Sequence, residues 1–267
     1  MLLTNENYYS QEANREYLSV SQYKDFMGTC GKVGCEEYAL AKLDGTWVEN
    51  MEDSDALMVG SYVDAHFEGT LDLFKAQHSC MFKKDGSIMA KYIKANEMIN
   101  RCERDPLFMQ YMSGEKQVIM TADLFGAKWK IKIDSYHPGK CIVDLKTCQS
   151  ITKEFYHPDS GHLNFLAEWG YYIQGAVYQK VVEINTGEKL PFFIAAVSKE
   201  KVPDIQVIAV EQSLLDEALA DVEHNVPNIL ALKNGELEPM RCEHCDYCKH
   251  TRILQHPIWS SELIGEV

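Results

Sequence analysis

The sequence predicts an α/β fold in which a mixed central β-sheet is flanked by helices. Helical periodicity dominates the first part of the chain, short alternating strands follow, and the remainder has the order helix, strand, strand, helix. The 267 residues are ample for a buried core. We expect one domain over residues 1–267, with a helical part at about 19–110 and a cysteine-containing tail at about 236–267.

The helical part begins after a polar stretch, residues 1–17, which we expect to be a flexible lead-in. Serines that can cap a helix precede an apolar periodic stretch at about 19–26. Three more helices are expected in this part, and the last of them should stop at Pro106. Their approximate ranges are 35–43, 56–67 and 90–105, with an acidic loop around Glu52 between the first two.

The second half of the chain supplies the strands. Residues 117–147 show the alternation of three short strands, and 191–197 and 205–210 show that of two more. An apolar segment at 165–183 is long enough for a helix between these groups. A closing helix is expected at 213–233.

Two carboxylates in this region lie ten residues apart, on either side of a Pro-Gly turn. If the turn is centred on Gly139, the register places Asp134 opposite Asp144, and Lys146 projects on the same side as Asp144. Oxygen ligands for Mg²⁺ and a cation beside the attacking water are what phosphodiester hydrolysis requires. The hairpin is therefore a candidate metal site, and a solvated polar sheet face is the plainer alternative.

Two helices carry further candidates. Gln174 and Tyr178 are four residues apart and share one face of an otherwise apolar helix. Asp64 and His66 lie on the helix that precedes the strands, and either one offers a third metal ligand. Because they are two residues apart and point in different directions, we expect at most one of them to serve.

This order of motifs resembles the RecB-like branch of the PD-(D/E)XK nuclease superfamily, particularly the phage RecE-type exonucleases. The resemblance extends from about residue 19 to residue 249. Asp134 matches the first core acid of the family, Asp144-Leu145-Lys146 its (D/E)-x-K element, and Gln174 with Tyr178 its Q-x-x-x-Y motif. The resemblance implies a restriction-endonuclease-like core.

The chain departs from the family at the Gly-x-x-x-His motif, which supplies a metal-binding histidine. Here the corresponding segment is Gly60-Ser-Tyr-Val-Asp64, and His66 follows two residues later. We favour Asp64 as the ligand, because carboxylate oxygen suits a hard Mg²⁺ or Mn²⁺ ion better than imidazole does.

The chemistry that the resemblance implies is hydrolysis of DNA with one or two bound Mg²⁺ or Mn²⁺ ions. Asp134, Asp144, the backbone carbonyl of Leu145 and Asp64 are the implied ligands. Lys146 would orient the attacking water, while the Q-x-x-x-Y pair would position the DNA strand or the lysine. The implied activity is digestion of linear double-stranded DNA from its ends, in the 5′→3′ direction, in phage or prophage recombination. A ring-shaped homo-oligomer and a single-strand annealing recombinase as partner are also implied.

The tail contains three thiols at C-x-x-C-x-x-C spacing: Cys242, Cys245 and Cys248. Such spacing suits Zn²⁺ or three corners of an iron–sulfur cluster. Some RecB-like nucleases close the fold with a [4Fe–4S] cluster held by one early and three late cysteines. Cys35 has the position of the early one, with Cys30 as the weaker alternative.

Two other states of these thiols remain open. His244 and His250 are close enough in sequence to complete a zinc site. Alternatively, the thiols carry no metal and pack against the N-terminal helices. The nine cysteines of the chain form no compact disulfide framework, so we interpret them as reduced thiols of a cytoplasmic protein.

The formal net charge of −14 argues against a protein that coats nucleic acid by electrostatics alone. No run of the sequence has the length of a membrane span. Three rival functions remain: a non-catalytic DNA-binding or assembly subunit with a nuclease fold, a zinc-stabilised interaction protein, and a CRISPR-associated RecB-like nuclease for single strands with an iron–sulfur cluster.

Overall fold

Helices and their caps dominate the first part of the chain. The computed structural model describes residues 1–49 and 54–260, so the acidic loop around Glu52 lies outside the described residues. The elements are α1 (Gln11–Glu16), α2 (Val20–Met27), β1 (Gly28–Thr29), β2 (Lys32–Val33), α3 (Glu36–Asp44), α4 (Asp55–Glu68), α5 (Leu71–Gln77), α6 (Ile93–Glu103) and α7 (Pro106–Tyr111).

Polar side chains cap four of these helices, including α1, where the Ser10 hydroxyl accepts the Ala13 amide. The hydroxyl of Ser19 accepts the Gln22 amide at the start of α2, and that of Ser54 accepts the Leu57 amide at the start of α4. The carboxylate of Asp105 caps α7, with Pro106 at the first helical position. The proline thus ends one helical segment, as expected, and also begins the next.

The N-terminal residues are folded, so the expectation of a flexible lead-in was wrong. Tyr8 and Ala13 are buried, and Leu18 pairs with the strand that contains Trp129. The ammonium group of Lys130 donates hydrogen bonds to the carbonyl of Tyr8 and to the side-chain oxygen of Asn14. These partners are more than a hundred residues away, and local periodicity contains no signal for them.

The second part of the chain supplies the sheet. Its elements are β3 (Val118–Leu124), β4 (Ala127–Ile133), β5 (Ser135–His137), β6 (Cys141–Cys148), β7 (Phe155–His157), β8 (Gly161–Leu163), α8 (Phe165–Glu168), α9 (Tyr171–Thr186), β9 (Phe192–Ser198), β10 (Ile205–Ala209), α10 (Gln212–Lys233) and α11 (Asp246–Thr251).

A four-stranded mixed sheet has the order β10-β9-β6-β5. Strands β6 and β9 are parallel and are connected through α9, whereas β5 and β10 pair antiparallel at the two edges. Strand β4 pairs antiparallel with β3 and leads into β5 with only Asp134 between them. The predicted fold class, a mixed sheet flanked by helices, is confirmed.

Both faces of β6 are buried. Ile142 faces a core that contains residues of α2, α9 and α10. Val143 and Leu145 face a second core that contains residues of α4, α6 and α7. Because side chains alternate along a strand, Asp144 and Lys146 project toward the side of α2 and α9.

The apolar segment expected as one helix at 165–183 is two helices. Gly170 separates α8 from α9 and has a φ of 63°, in the left-handed region. A β-carbon at this position would meet the side chain of Thr29 at 2.8 Å. Glycine is therefore required by both conformation and space. The β7–β8 hairpin precedes α8 directly.

None of the helices within the described residues is both long and apolar enough to span a membrane.

Candidate active site

The two hairpin acids face each other across the break between β4 and β5. The pairing of Ser135 with Val143 and of Tyr136 with Ile142 continues the register that sets Asp134 opposite Asp144. One carboxylate oxygen of Asp134 accepts the backbone N–H of Leu145 at 2.9 Å. This bond fixes the carboxylate beside the neighbouring strand. It also brings Leu145, the predicted source of a carbonyl ligand, to the cavity wall.

Asp144 and Lys146 form a buried ion pair on one face of β6. The Lys146 Nζ lies 2.6 Å from Asp144 Oδ2, and the Asp144 side chain is only 3% exposed. Burial alone lowers the pKa of Lys146, but the nearby carboxylates of Asp144 and Asp134 outweigh it and raise that pKa above its ordinary value. Lys146 is therefore a permanent ammonium group, suited to stabilising negative charge and unsuited to act as a base.

Gln174 and Tyr178 of α9 both point toward this pair of strands. The Gln174 amide nitrogen donates to Asp144 Oδ1 at 2.5 Å, and the Tyr178 hydroxyl donates to the backbone carbonyl of Lys132 at 3.1 Å. Gln174 thus orients a carboxylate rather than the lysine. Tyr178 ties α9 to β4 just before Asp134.

Asp64, at the C-terminal end of α4, is the third carboxylate of the cluster. Burial raises its pKa to about 7; Lys146 opposes this shift, while Glu68 and Asp144 add to it. Burial also raises the pKa of Asp134 well above its ordinary value, and Asp144 raises it further. The ammonium group of Lys146 compensates these carboxylates only in part, so the set fits a divalent cation with oxygen ligands, Mg²⁺ or Mn²⁺.

His66, the alternative metal ligand, does not line the cavity that contains this cluster. Its Nε2 lies 2.9 Å from a carboxylate oxygen of Glu103, and its ring packs edge-on against Phe67. Two residues along an α-helix correspond to a rotation of about 200°, which directs His66 away from Asp64.

Glu68, which was not among the predicted site residues, lines the cavity one helical turn after Asp64. The available signal was the four-residue spacing from Asp64.

The cluster lies in a cavity of about 490 Å³ that also contains several lysines and tyrosines. Lys24 of α2 lies over the Tyr171 ring at 5.5 Å, and Lys146 lies over the same ring at 4.9 Å. Burial, together with the charge of Lys146, lowers the pKa of Lys24 to about 8. The carboxylates can hold a metal ion, while the lysines that line the same cavity attract a polyanion whose phosphate must approach that ion.

The N-terminal segment forms part of the cavity wall. Tyr8 and Tyr9 line it, their rings are in T-shaped contact at 4.9 Å, and the Lys132 ammonium lies 4.8 Å from the centre of the Tyr9 ring. The Tyr9 side chain is 71% exposed, whereas Tyr8 is buried. Sequence reasoning missed both, because nothing near them in the chain marks them as neighbours of Asp134.

A second cluster of side chains, outside the cavity, brings the three cysteines of the tail close to a cysteine of the N-terminal part. The sulfurs of Cys35, Cys242, Cys245 and Cys248 all lie within 4.8 Å of one another. Cys30, the alternative early cysteine, is exposed and lies outside this group.

The two histidines near these cysteines are not members of the group either. The ring of His250 packs against Trp47 at 5.5 Å, and the backbone amide of His244 donates to the sulfur of Cys242.

Two comparisons place the chain among known proteins. Residues 19–251 match the family model described as a PDDEXK-like domain of unknown function, DUF3799. The chain also superposes on the crystal structure of a "putative exonuclease" from Eubacterium rectale, with 57% sequence identity, a TM-score of 0.96 and 100% coverage of both chains. No curated protein matches the chain in sequence.

Proposed function

We propose that this chain, which belongs to the PDDEXK-like domain family, is a metal-dependent deoxyribonuclease that digests linear double-stranded DNA from its ends. The observation that carries the proposal is the set of one buried carboxylate, Asp144, and two half-buried ones, Asp64 and Asp134, around the ammonium group of Lys146. Such a set has no evident structural purpose, because withdrawing three carboxylates wholly or partly from water beside one cation is unfavourable for folding. It is suited to binding a divalent cation beside a phosphodiester.

In this mechanism Asp64, Asp134, Asp144 and the Leu145 carbonyl hold the cation, Mg²⁺ or Mn²⁺. When bound, the cation lowers the pKa of a water molecule and neutralises charge on the scissile phosphate. The Lys146 ammonium group donates hydrogen bonds to the attacking water and to the phosphate oxygens as their negative charge grows. Gln174 and the Leu145 N–H hold the two hairpin carboxylates in place.

The finer features of the proposal have the RecE-type resemblance as their support, and the Eubacterium rectale relative supports exonuclease activity alone. We expect one domain over residues 1–267, cytoplasmic location, 5′→3′ polarity and a ring-shaped homo-oligomer that encloses DNA. A role in phage or prophage recombination would add a single-strand annealing recombinase as partner.

The direct test compares a linear duplex with a closed circle of the same sequence, each with and without Mg²⁺. We expect Mg²⁺-dependent release of nucleotides from the linear duplex only, with loss of a 5′ label before a 3′ label. Cleavage of the circle would indicate an endonuclease, and digestion of single strands alone would favour the CRISPR-associated alternative. Binding without cleavage would favour the non-catalytic subunit.

The exposed Tyr9 ring is expected to stack on a base of the bound DNA. Stacking on an aromatic side chain contributes about 1–3 kcal/mol per base. Replacing Tyr9 with alanine should therefore raise KM about tenfold and change kcat little, while Tyr9→Phe should behave like the wild type. The matched control is Tyr156→Ala, because Tyr156 is 67% exposed but lies on the β7–β8 hairpin and does not line the cavity. Equal KM values for the two alanine variants would contradict the assignment.

A further inference from the structure

The four clustered thiols connect segments that are far apart in the chain. Cys35 precedes α3, and the other three lie in the last thirty residues that the structure describes. Cys35 and Cys248 are buried, with their sulfurs 3.6 Å apart, and the sulfurs of Cys242 and Cys248 are 3.9 Å apart. None of the four takes part in a disulfide. Packing alone does not explain four thiols at one place, because other apolar side chains would fill the same space equally well.

The spacing of the sulfurs matches a single tetrahedral ion. With zinc–sulfur bonds of about 2.3 Å, neighbouring sulfurs of a Cys₄ zinc site lie about 3.8 Å apart. The two short separations, 3.6 and 3.9 Å, bracket this value, and no pair exceeds 4.8 Å. A [4Fe–4S] cluster has each thiolate on a different iron, so four irons and four sulfides must fit between the sulfurs. The space between these four does not accommodate them.

Backbone amides already point at two of the sulfurs. The N–H groups of His244 and Cys245 donate to Cys242 Sγ at 3.4 and 3.3 Å, and that of Cys248 donates to Cys245 Sγ at 3.5 Å. Glu243 turns the chain between them with a φ of 59°, uncommon for a residue other than glycine. Such N–H groups would stabilise the negative charge of two thiolate ligands and fix their orientation around a cation.

An ion at this place would fasten the tail to a wall of the catalytic cavity. Arg241 reinforces the same junction, since its guanidinium group donates to a carboxylate oxygen of Glu37 and to the carbonyl of Cys248. Glu37 belongs to α3, and Lys42 on the same helix lines the cavity and pairs with Asp25 of α2. The ion and the Arg241 hydrogen bonds would therefore stabilise the α2–α3 side of the cavity without contacting the acidic cluster.

We propose that Cys35, Cys242, Cys245 and Cys248 hold one structural Zn²⁺ ion, and that the chain does not contain the [4Fe–4S] cluster found in some RecB-like nucleases. The four thiols bind as thiolates, and their protons are released to solvent. The ion contributes to folding and takes no part in hydrolysis.

The first test is the metal content of the wild-type chain, purified without oxygen from cells supplied with both iron and zinc. We expect about one zinc per chain, no acid-labile sulfide and no visible absorption; replacement of zinc by Co²⁺ should give the intense absorption of a tetrahedral thiolate site. Iron and sulfide in equal amounts would overturn the proposal. So would a metal-free protein with all four thiols open to titration.

Variants test the ligand set. Cys245→Ser should lose the zinc and lower the midpoint of thermal unfolding by about 10 °C or more. The matched control is Cys30→Ser, because Cys30 is exposed and outside the group, and it should keep the zinc. Full zinc content in Cys245→Ser would overturn the assignment. The measurement on the wild type decides the matter if the variant fails to fold, and none of these readouts depends on nuclease activity.

Discussion

Replacing Lys146 with alanine is expected to lower the single-turnover rate of DNA cleavage by about 10²–10³-fold, the usual effect of removing one preorganised charge from a developing oxyanion. The Lys146 Nζ is the cation in direct contact with Asp144, and the neighbouring carboxylates hold its pKa above the ordinary value, which favours the charged form. The rate should be measured at saturating DNA and Mg²⁺, so that weaker binding does not contribute.

The matched control is Lys128→Ala on the preceding hairpin. Lys128 is more than half exposed and pairs with Glu16 at 3.2 Å, outside the cavity. We expect the single-turnover cleavage rate of the Lys128→Ala variant to stay within twofold of the wild-type rate. Thermal unfolding of both variants should be recorded, because losing Lys146 leaves Asp144 buried without its partner. A folded Lys146→Ala protein that cleaves DNA at nearly the wild-type rate would contradict the proposed role of this lysine.

The parts of the site that were predictable from sequence are those whose geometry is local. Asp134 and Asp144 are linked by a short turn, and alternation along each strand fixes the register once the turn is known. Gln174 and Tyr178 share a helix face because 3.6 residues make a turn. In each case the residues that matter lie within a dozen positions of one another.

The parts that were missed depend on how separate elements pack. Tyr9 and Lys24 reach the cavity because α2 and the N-terminal segment lie beside β4, a contact set by tertiary structure. His66 was included because the rotation of α4 about its axis relative to the sheet is not readable from a short apolar pattern. The cysteine group was predictable for a different reason, since its three late members share one short turn.

Asp64→Asn is expected to stabilise the Mg²⁺-free protein at pH 8 while abolishing cleavage. The folded state holds a proton on Asp64 up to a pKa of about 7, whereas the unfolded chain releases it near 3.8. Between these values the folded state binds more protons, so the free energy of unfolding falls as the pH rises through this window. Asparagine removes that penalty, and the variant should exceed the wild type by about 2–4 kcal/mol at pH 8.

Urea unfolding at pH 5 and pH 8 measures this difference, with Mg²⁺ left out rather than chelated, since a chelator would also remove an ion from the thiols. The difference between variant and wild type should shrink at pH 5, where Asp64 is protonated, and also when Mg²⁺ is added at pH 8. Asp72→Asn is the matched control, because that carboxylate on α5 is fully exposed and its replacement should change neither value. A less stable Asp64→Asn protein at pH 8 would mean that Asp64 supports the fold. Greater stability together with lost cleavage would mean that the Asp64 carboxylate lowers the free energy of unfolding and is needed to bind the metal ion.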